Sequence, residues 1–353
     1  MNSQDISSEN RTGEEARILT YDDGSEMYNS LEFNRNSAEE HTLPKVHLHD
    51  NPEALDIQNS LVLDWVFGIN KDIVGGVHNL SDENRKDIFY VSGHIGVIYK
   101  VELRQQILLQ GHIHPISCTS VSADKRWIVT ADAGLKNMLV VWDSVKGIPI
   151  KTIFEPHAAD IQSVDISPDS MYIATLSLPD ENDQQELSIW AWTSEDSSPL
   201  YSSFVPLSQY STNLTHDSPR NMTEAANIHD MSKKTLFQSW VKFHDTNPKI
   251  LVTNGPRVIT FWSWQEGELV FYNPSVTSKD FRQAVGEFSV TCFVPNTSLA
   301  ATGTKEGEVI LWQKLNEQSD IEHEKRSFKV VKIHPNSSVN FVTCTKDYIV
   351  TGG

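Results

Sequence analysis

The chain has 353 residues, 39% of them hydrophobic, and carries 47 acidic against 29 basic side chains, for a formal net charge of −18. That is enough apolar material for one large domain or two small ones, and no run approaches the ~18 apolar residues of a membrane-spanning helix. Phosphate binding is driven by Lys and Arg displacing counterions, so an acidic chain without a basic stripe excludes a duplex nucleic acid partner. The composition reads as that of a soluble protein.

Residues 1–59 come first and hold 13 acidic and 4 basic side chains, a balance of −9 and half of the net charge. Low hydrophobicity with high like charge cannot offset the entropy of ordering, so this segment reads as an acidic disordered tail. Its first residues are acidic where a secretory signal needs a basic start and an apolar stretch, and they lack the Arg-rich character of a transit peptide. Cys118, Cys292 and Cys344 are too few and too widely spaced for a disulfide framework or a zinc site, and read as reduced thiols in a cytosolic setting.

From residue 60 onward the chain repeats. Hydrophobic segments ending in tryptophan recur as KNMLVVWD (136–143), LSIWAW (187–192), RVITFWSW (257–264) and EVILWQK (308–314). The aligned Trp142, Trp190, Trp262 and Trp312 are 48, 72 and 50 residues apart, and an earlier strand, GVIYKVE (96–102), puts Val101 in the same slot. Each segment follows a second strand-like run, RWIVTAD, MYIATLS, KILVTNG or SLAATGT, and a third lies further upstream. Three short strands joined by Asp-, Pro-, Gly- and Asn-rich turns, at a period of about 40–50 residues, predict four-stranded propeller blades. No helix-period segment separates them, which excludes alternating strand–helix folds. The expected architecture is all-β, a propeller of about five to six blades over residues 60–353.

Two departures from regularity stand out. The interval before Trp262 is longer than its neighbours, and the excess falls in the polar stretch 194–234, which predicts a long loop insertion. Residues 339–353 supply two strands of a further blade and no third. A propeller removes exposed strand edges only by closing on itself, so the expectation is a truncated final blade in an incomplete chain, with a closed ring of fewer blades as the alternative.

The residues resemble WD repeats. Gly111-His112 and Trp142-Asp143 carry the two signature dipeptides. By this resemblance His112, Thr130, Asp132 and Trp142 form a buried hydrogen-bond chain. The later blades depart from the pattern: Pro156-His157 has no Asp after Trp190, and the fifth blade has Thr302 and Trp312 but Glu306 in its turn and no matching His. Those blades are expected to hold by packing rather than by the polar chain. The run from LVLDWVFGIN to IKTIFEPH is most similar to the ciliary WD-repeat proteins, among them the cilia- and flagella-associated WD-repeat proteins of the calmodulin- and spoke-associated complex at the base of radial spokes. That likeness implies a cytoplasmic and cytoskeletal protein of the ciliary or flagellar axoneme with protein partners in the spoke-base complex. Some such proteins carry an EF-hand, but here Gln185 stands where the calcium loop needs Gly and Ala191 where it needs Glu, so calcium sensing does not transfer.

Catalytic signatures are missing: no Gly-rich phosphate loop, His-Glu-x-x-His, Gly-x-Ser-x-Gly or dinucleotide fingerprint occurs. The chain reads as a non-catalytic scaffold with no cofactor and no membrane insertion. His47/His49 and His112/His114 sit two apart, a spacing that can hold a metal from a strand, but a structural role for His112 is the preferred reading. The paired Trp190/Trp192 and Trp262/Trp264 each point to one strand face and read as blade packing. Direct docking on tubulin is not expected, because like acidic fields oppose it. The alternative function is a general cytosolic WD-repeat adaptor such as a ubiquitin-ligase substrate receptor. Those receptors often carry Arg two residues after the Trp-Asp aspartate, where this chain has Val145.

Overall fold

The computed structural model describes residues 19–20, 26–27, 62–206 and 236–353, apart from 266, 277–280, 282 and 346. Every regular element named for them is a strand. Residues 1–54 and 55–353 form separate units. In the first, β1 (Leu19–Thr20) and β2 (Glu26–Met27) pair antiparallel; the rest of the expected acidic tail lies outside the described residues, as do His47 and His49.

The second unit contains five four-stranded antiparallel sheets and one of two strands. Blade 1 is β3 (Val77–Asn79), β4 (Asp87–Ser92), β5 (Ile95–Lys100) and β6 (Gln105–Leu109). Blade 2 is β7 (Ile116–Val121), β8 (Trp127–Asp132), β9 (Met138–Asp143) and β10 (Ile148–Phe154). Blade 3 is β11 (Ile161–Ile166), β12 (Ile173–Ser177), β13 (Glu186–Trp190) and β14 (Tyr201–Phe204). Blade 4 is β15 (Trp240–Phe243), β16 (Ile250–Asn254), β17 (Ile259–Gln265) and β18 (Glu268–Tyr272). Blade 5 is β19 (Phe288–Phe293), β20 (Ala300–Thr304), β21 (Glu308–Lys314) and β22 (Lys325–Lys332). Blade 6 has only β23 (Phe341–Cys344) and β24 (Ile349–Gly352).

The sheets stack face to face in chain order. Because strand residues alternate sides, each blade offers one apolar face backward and one forward. In blade 2, Ile128, Val140 and Trp142 pack on Phe89, Val91 and Ile98 of blade 1, while Val129, Ala131, Leu139 and Val141 receive Ile173, Trp190 and Trp192 of blade 3. The same alternation puts Trp262 and Trp264 on blade 3 and Trp312 on blade 4. Both tryptophans of each two-apart pair therefore pack toward the preceding blade. The first strands β7, β11, β15, β19 and β23 lie side by side, and β3 joins β7 through His78 Nε2 and Thr119 Oγ1, 2.9 Å apart. A Cβ on Gly75, just before β3, would lie 3.2 Å from Phe341 on β23 and 3.8 Å from Trp240 on β15, so the entry to blade 1 meets the far blades around the axis.

Two details differ from the sequence pattern. In blades 2–5 the repeat Trp comes two positions after the residue paired with the second-strand Thr, as in Thr130↔Val140 and Thr302↔Ile310. The residue on the matching face of blade 1 is Tyr90, paired with Val97, so the slot belongs to Tyr99 and not to Val101. Val101 lies beyond β5 and is 44% exposed. The stretch 194–234 is not loop throughout its described part, since after the connection 194–200 Tyr201–Phe204 forms the fourth strand of blade 3, paired with β13; residues 207–235 lie outside the described residues. The segment LVLDWVF, described from residue 62 on, carries no strand there. Its described part lies along blade 1 instead, where Val66 N–H donates to Gln106 Oε1 at 2.9 Å and Gln106 Nε2 donates to the Val66 carbonyl at 3.0 Å.

The fourth strands form the rim of the disc and differ in chemistry. QQILL (β6) and YSSF (β14) carry no charge, IPIKTIF (β10) has one cation, ELVFY (β18) one anion, and KRSFKVVK (β22) four cations. Among the described residues no helix is long and apolar enough to cross a membrane.

Candidate functional site

Buried polar bonds centred on a tryptophan run through blades 2 to 5. In blade 2, Trp142 Nε1–H donates to Thr130 Oγ1 at 2.8 Å, and Thr130 Oγ1 lies 2.6 Å from His112 Nε2. Because Thr130 oxygen accepts from the indole, its own hydroxyl hydrogen is free for His112 Nε2. His112 Nδ1 then sits 3.2 Å from Asp132 Oδ2, a close approach short of hydrogen-bond alignment. Asp132, fully buried, accepts instead from Met138 N–H at 2.6 Å and, more weakly, from His114 N–H at 3.4 Å. His112, Thr130, Asp132 and Trp142 thus form one cluster that closes the β8–β9 turn. His114 turns away, its Nε2 2.8 Å from the Leu135 carbonyl oxygen, so the two histidines do not converge. Asp143, of the Trp-Asp pair, receives Arg126 Nη2 at 2.6 Å and the amides of Val145 and Lys146.

The later blades were expected to rely on packing, but they keep the polar chain in altered form. In blade 3, Trp190 Nε1–H donates to Thr175 Oγ1 at 2.8 Å, and His157 bridges Thr175 at 2.7 Å to Glu186 at 3.1 Å. Glu186, on the next strand, faces His157 as Asp132 faces His112 in blade 2, and its carboxyl is held below the usual carboxylate range chiefly by that His157 hydrogen bond. In blade 4 Trp262 donates to Thr253 at 2.7 Å. In blade 5 Trp312 donates to Thr302 at 2.9 Å, Thr291 replaces the histidine at 2.8 Å, and the buried acid is Glu308, bonded to Thr304, rather than Glu306. Blade 6 has the first half of the chain, with His334 Nε2 2.9 Å from Thr351 Oγ1. The readable signal was a His 17 or 18 residues before a second-strand Thr, which pairs 112 with 130, 157 with 175 and 334 with 351.

The inner strands carry a second polar set. Asp165 on β11, nearly fully buried, accepts from Ser120 Oγ on β7, Lys242 Nζ on β15 and Phe243 N–H on β15, each at 2.8 Å. One carboxylate thus joins three neighbouring blades. Burial, and next the Lys242 cation, lower the His78 imidazole to about 4, so it is neutral at physiological pH. On the next strands, Trp240 Nε1–H donates to the Thr291 carbonyl at 2.8 Å, and Cys292 Sγ lies 3.2 Å from Cys344 Sγ. Sequence spacing hid that last contact, since 52 residues separate the two thiols.

A surface depression of about 640 Å³, open to solvent, is lined by polar side chains including His244, Asn247, Asn296, Thr297 and Glu322. Asp180 makes an ordinary Asx turn, accepting from the amides of Asn182 and Gln184, while Gln185 is buried and bonds Ser177 and Gln238, which is no calcium-loop geometry. No group of three or more His, Cys, Asp or Glu among the described residues is placed to hold a metal ion.

Comparison with known proteins shows what the chain is similar to. Residues 61–227 match the model of the CFAP251 N-terminal domain. The chain is 34% identical over 307 residues to cilia- and flagella-associated protein 251 of Chlamydomonas reinhardtii, covering 84% of this chain and 35% of that protein. It is 34% identical over 308 residues to the protein of the same name in Tetrahymena thermophila, covering 83% and 28%. By sequence the chain is similar to cilia- and flagella-associated proteins over most of its length. Human cilia- and flagella-associated protein 52 is similar at 25% identity over 139 residues, 38% of this chain and 22% of that protein. This kinship gives the chain a place in the cilium or flagellum. The chain spans about a third of the length of the curated relatives named first.

Proposed function

We propose that the chain is a non-catalytic scaffold of the motile-cilium axoneme whose propeller docks protein subunits at the base of radial spokes, and so supports ciliary and flagellar motility. The similarity to cilia- and flagella-associated protein 251 across more than four-fifths of the chain carries this reading. The geometry fits it. The buried His, Asp and Glu side chains of the blades are spent on closing turns and satisfying indoles, while the rim strands and the loops at either end of the disc stay available for protein contact.

Proximity labelling in ciliated cells, with this chain as bait, tests the reading. Spoke-base proteins are the expected products. Recovery of a soluble ubiquitin-ligase complex in their place overturns it.

A further inference from the structure

Blade 6 has two strands, and its attachment to blade 5 runs through one small cluster in which Val339 and Val342 pack against Val290, Ala301 and Val309. Cys292 and Cys344 lie at the centre of this junction, one on each inner strand, with their sulfurs 3.2 Å apart. A disulfide bond is about 2.05 Å long, so an approach of about 1 Å between facing side chains forms it. Both thiols are free. Cys292 is buried and Cys344 partly open to solvent, which separates a thiol that can meet a reagent from one that can follow it.

We propose that Cys292 and Cys344 form a reactive thiol pair, which a small-molecule disulfide converts reversibly into a disulfide bond fastening β23 to β19. Cys344 is the attacking group. As acceptor of the Cys292 hydrogen bond its thiol is held below the usual cysteine value, while Cys292 is pushed up by making that bond and by burial. The Cys344 thiolate attacks one sulfur of the oxidant, the oxidant's S–S bond breaks, and the departing thiolate takes up the proton that Cys344 gave to solvent. Cys292 then loses its proton, attacks Cys344 Sγ and expels the second small thiol. Two protein thiols are oxidised and one disulfide is reduced to two thiols. Cys118 is an internal control: it is buried on β7, its thiol is raised to about 12 by burial, and it lies outside this junction.

The test uses the full chain in mixtures of reduced and oxidised glutathione, followed by alkylation in denaturant and peptide mapping without reduction. The expected product is a peptide pair cross-linked through Cys292 and Cys344, growing with the oxidised fraction and disappearing on return to reduced glutathione, while Cys118 stays alkylated. In Cys292→Ser, Cys344 accumulates a glutathione adduct because no second thiol resolves it. Native chain in which Cys344 holds glutathione without the cross-link, or in which Cys118 oxidises at the same ratio, overturns the proposal.

Discussion

Thr130 satisfies two buried partners with one oxygen, whereas Thr253 serves Trp262 alone. A buried donor or acceptor left without a partner costs about 1–3 kcal/mol. Thr130→Val is therefore expected to lose about 2–4 kcal/mol and Thr253→Val about half of that. Urea denaturation of the two variants reads the difference, and equal losses would show that the histidine adds nothing to the chain. His78 supplies a pH dependence with a defined sign. Its folded value of about 4 lies below the ordinary 6.5, so between those values the unfolded chain binds the extra proton, and stability falls as pH drops from 6.5 toward 4. Glu186, depressed by His157, adds a loss at lower pH, once the medium falls through its own folded value. Denaturation midpoints from pH 7 down to 4.5 should decline less in His78→Gln than in the parent, and parallel curves would rule the imidazole out. Residues of blade 2 were legible because the Gly-His and Trp-Asp dipeptides mark both ends of the chain. Glu186 and Glu308 were not, since each reaches its partner from a strand and not from the expected turn.

Strands buried on both faces are the most legible in the sequence. β8, β9, β12 and β16 are continuous apolar or small-residue runs bounded by turns, and these gave the repeat. The rim strands gave no comparable signal, because a half-exposed edge tolerates YSSF as readily as KRSFKVVK. Blade 1 is two residues out of step with the Trp spacing for a related reason: Tyr99 stands in the tryptophan slot, and no indole marks it in the sequence. Between elements, Asp165 is the tightest joint, since it holds β7 and β15 from β11. Asp165→Ala strands the buried Phe243 amide and Ser120 hydroxyl, while the half-exposed Lys242 ammonium can turn to solvent, and a loss of about 2–4 kcal/mol is expected for the two unpaired groups. Loss of less than about 1 kcal/mol by chemical denaturation would mean that water replaces the carboxylate without penalty. Gly303 on β20 has a similar place at the blade 5–6 junction. A Cβ there would lie 2.6 Å from Val339 Cγ1, so Gly303→Ala should push blade 6 outward and speed amide exchange in β23 and β24. Unchanged exchange in those strands would refute the tight fit.

For the molecule as a whole, the formal charge of −18 sets how it meets large partners. Bare microtubules present a strongly acidic surface, so the isolated chain should not pellet with them at moderate salt; co-sedimentation persisting there would show that a local patch overrides the total field. Protein subunits of mixed charge face no such barrier. The architecture was legible from the repeat period and the all-strand pattern, while the pairing of thiols 52 residues apart was not, because proximity across blades arises only when the sheets are wound about an axis.

That winding has a directional consequence. A ring built from identical units would look the same at every step of rotation, and a visitor approaching its perimeter could settle at any of several equivalent bearings. Here the five perimeter strands run from neutral amides and leucines to a stretch with four cations and no anion. The perimeter works like a marked dial, so a partner that recognises one sector also fixes the rotational setting of everything else the disc carries.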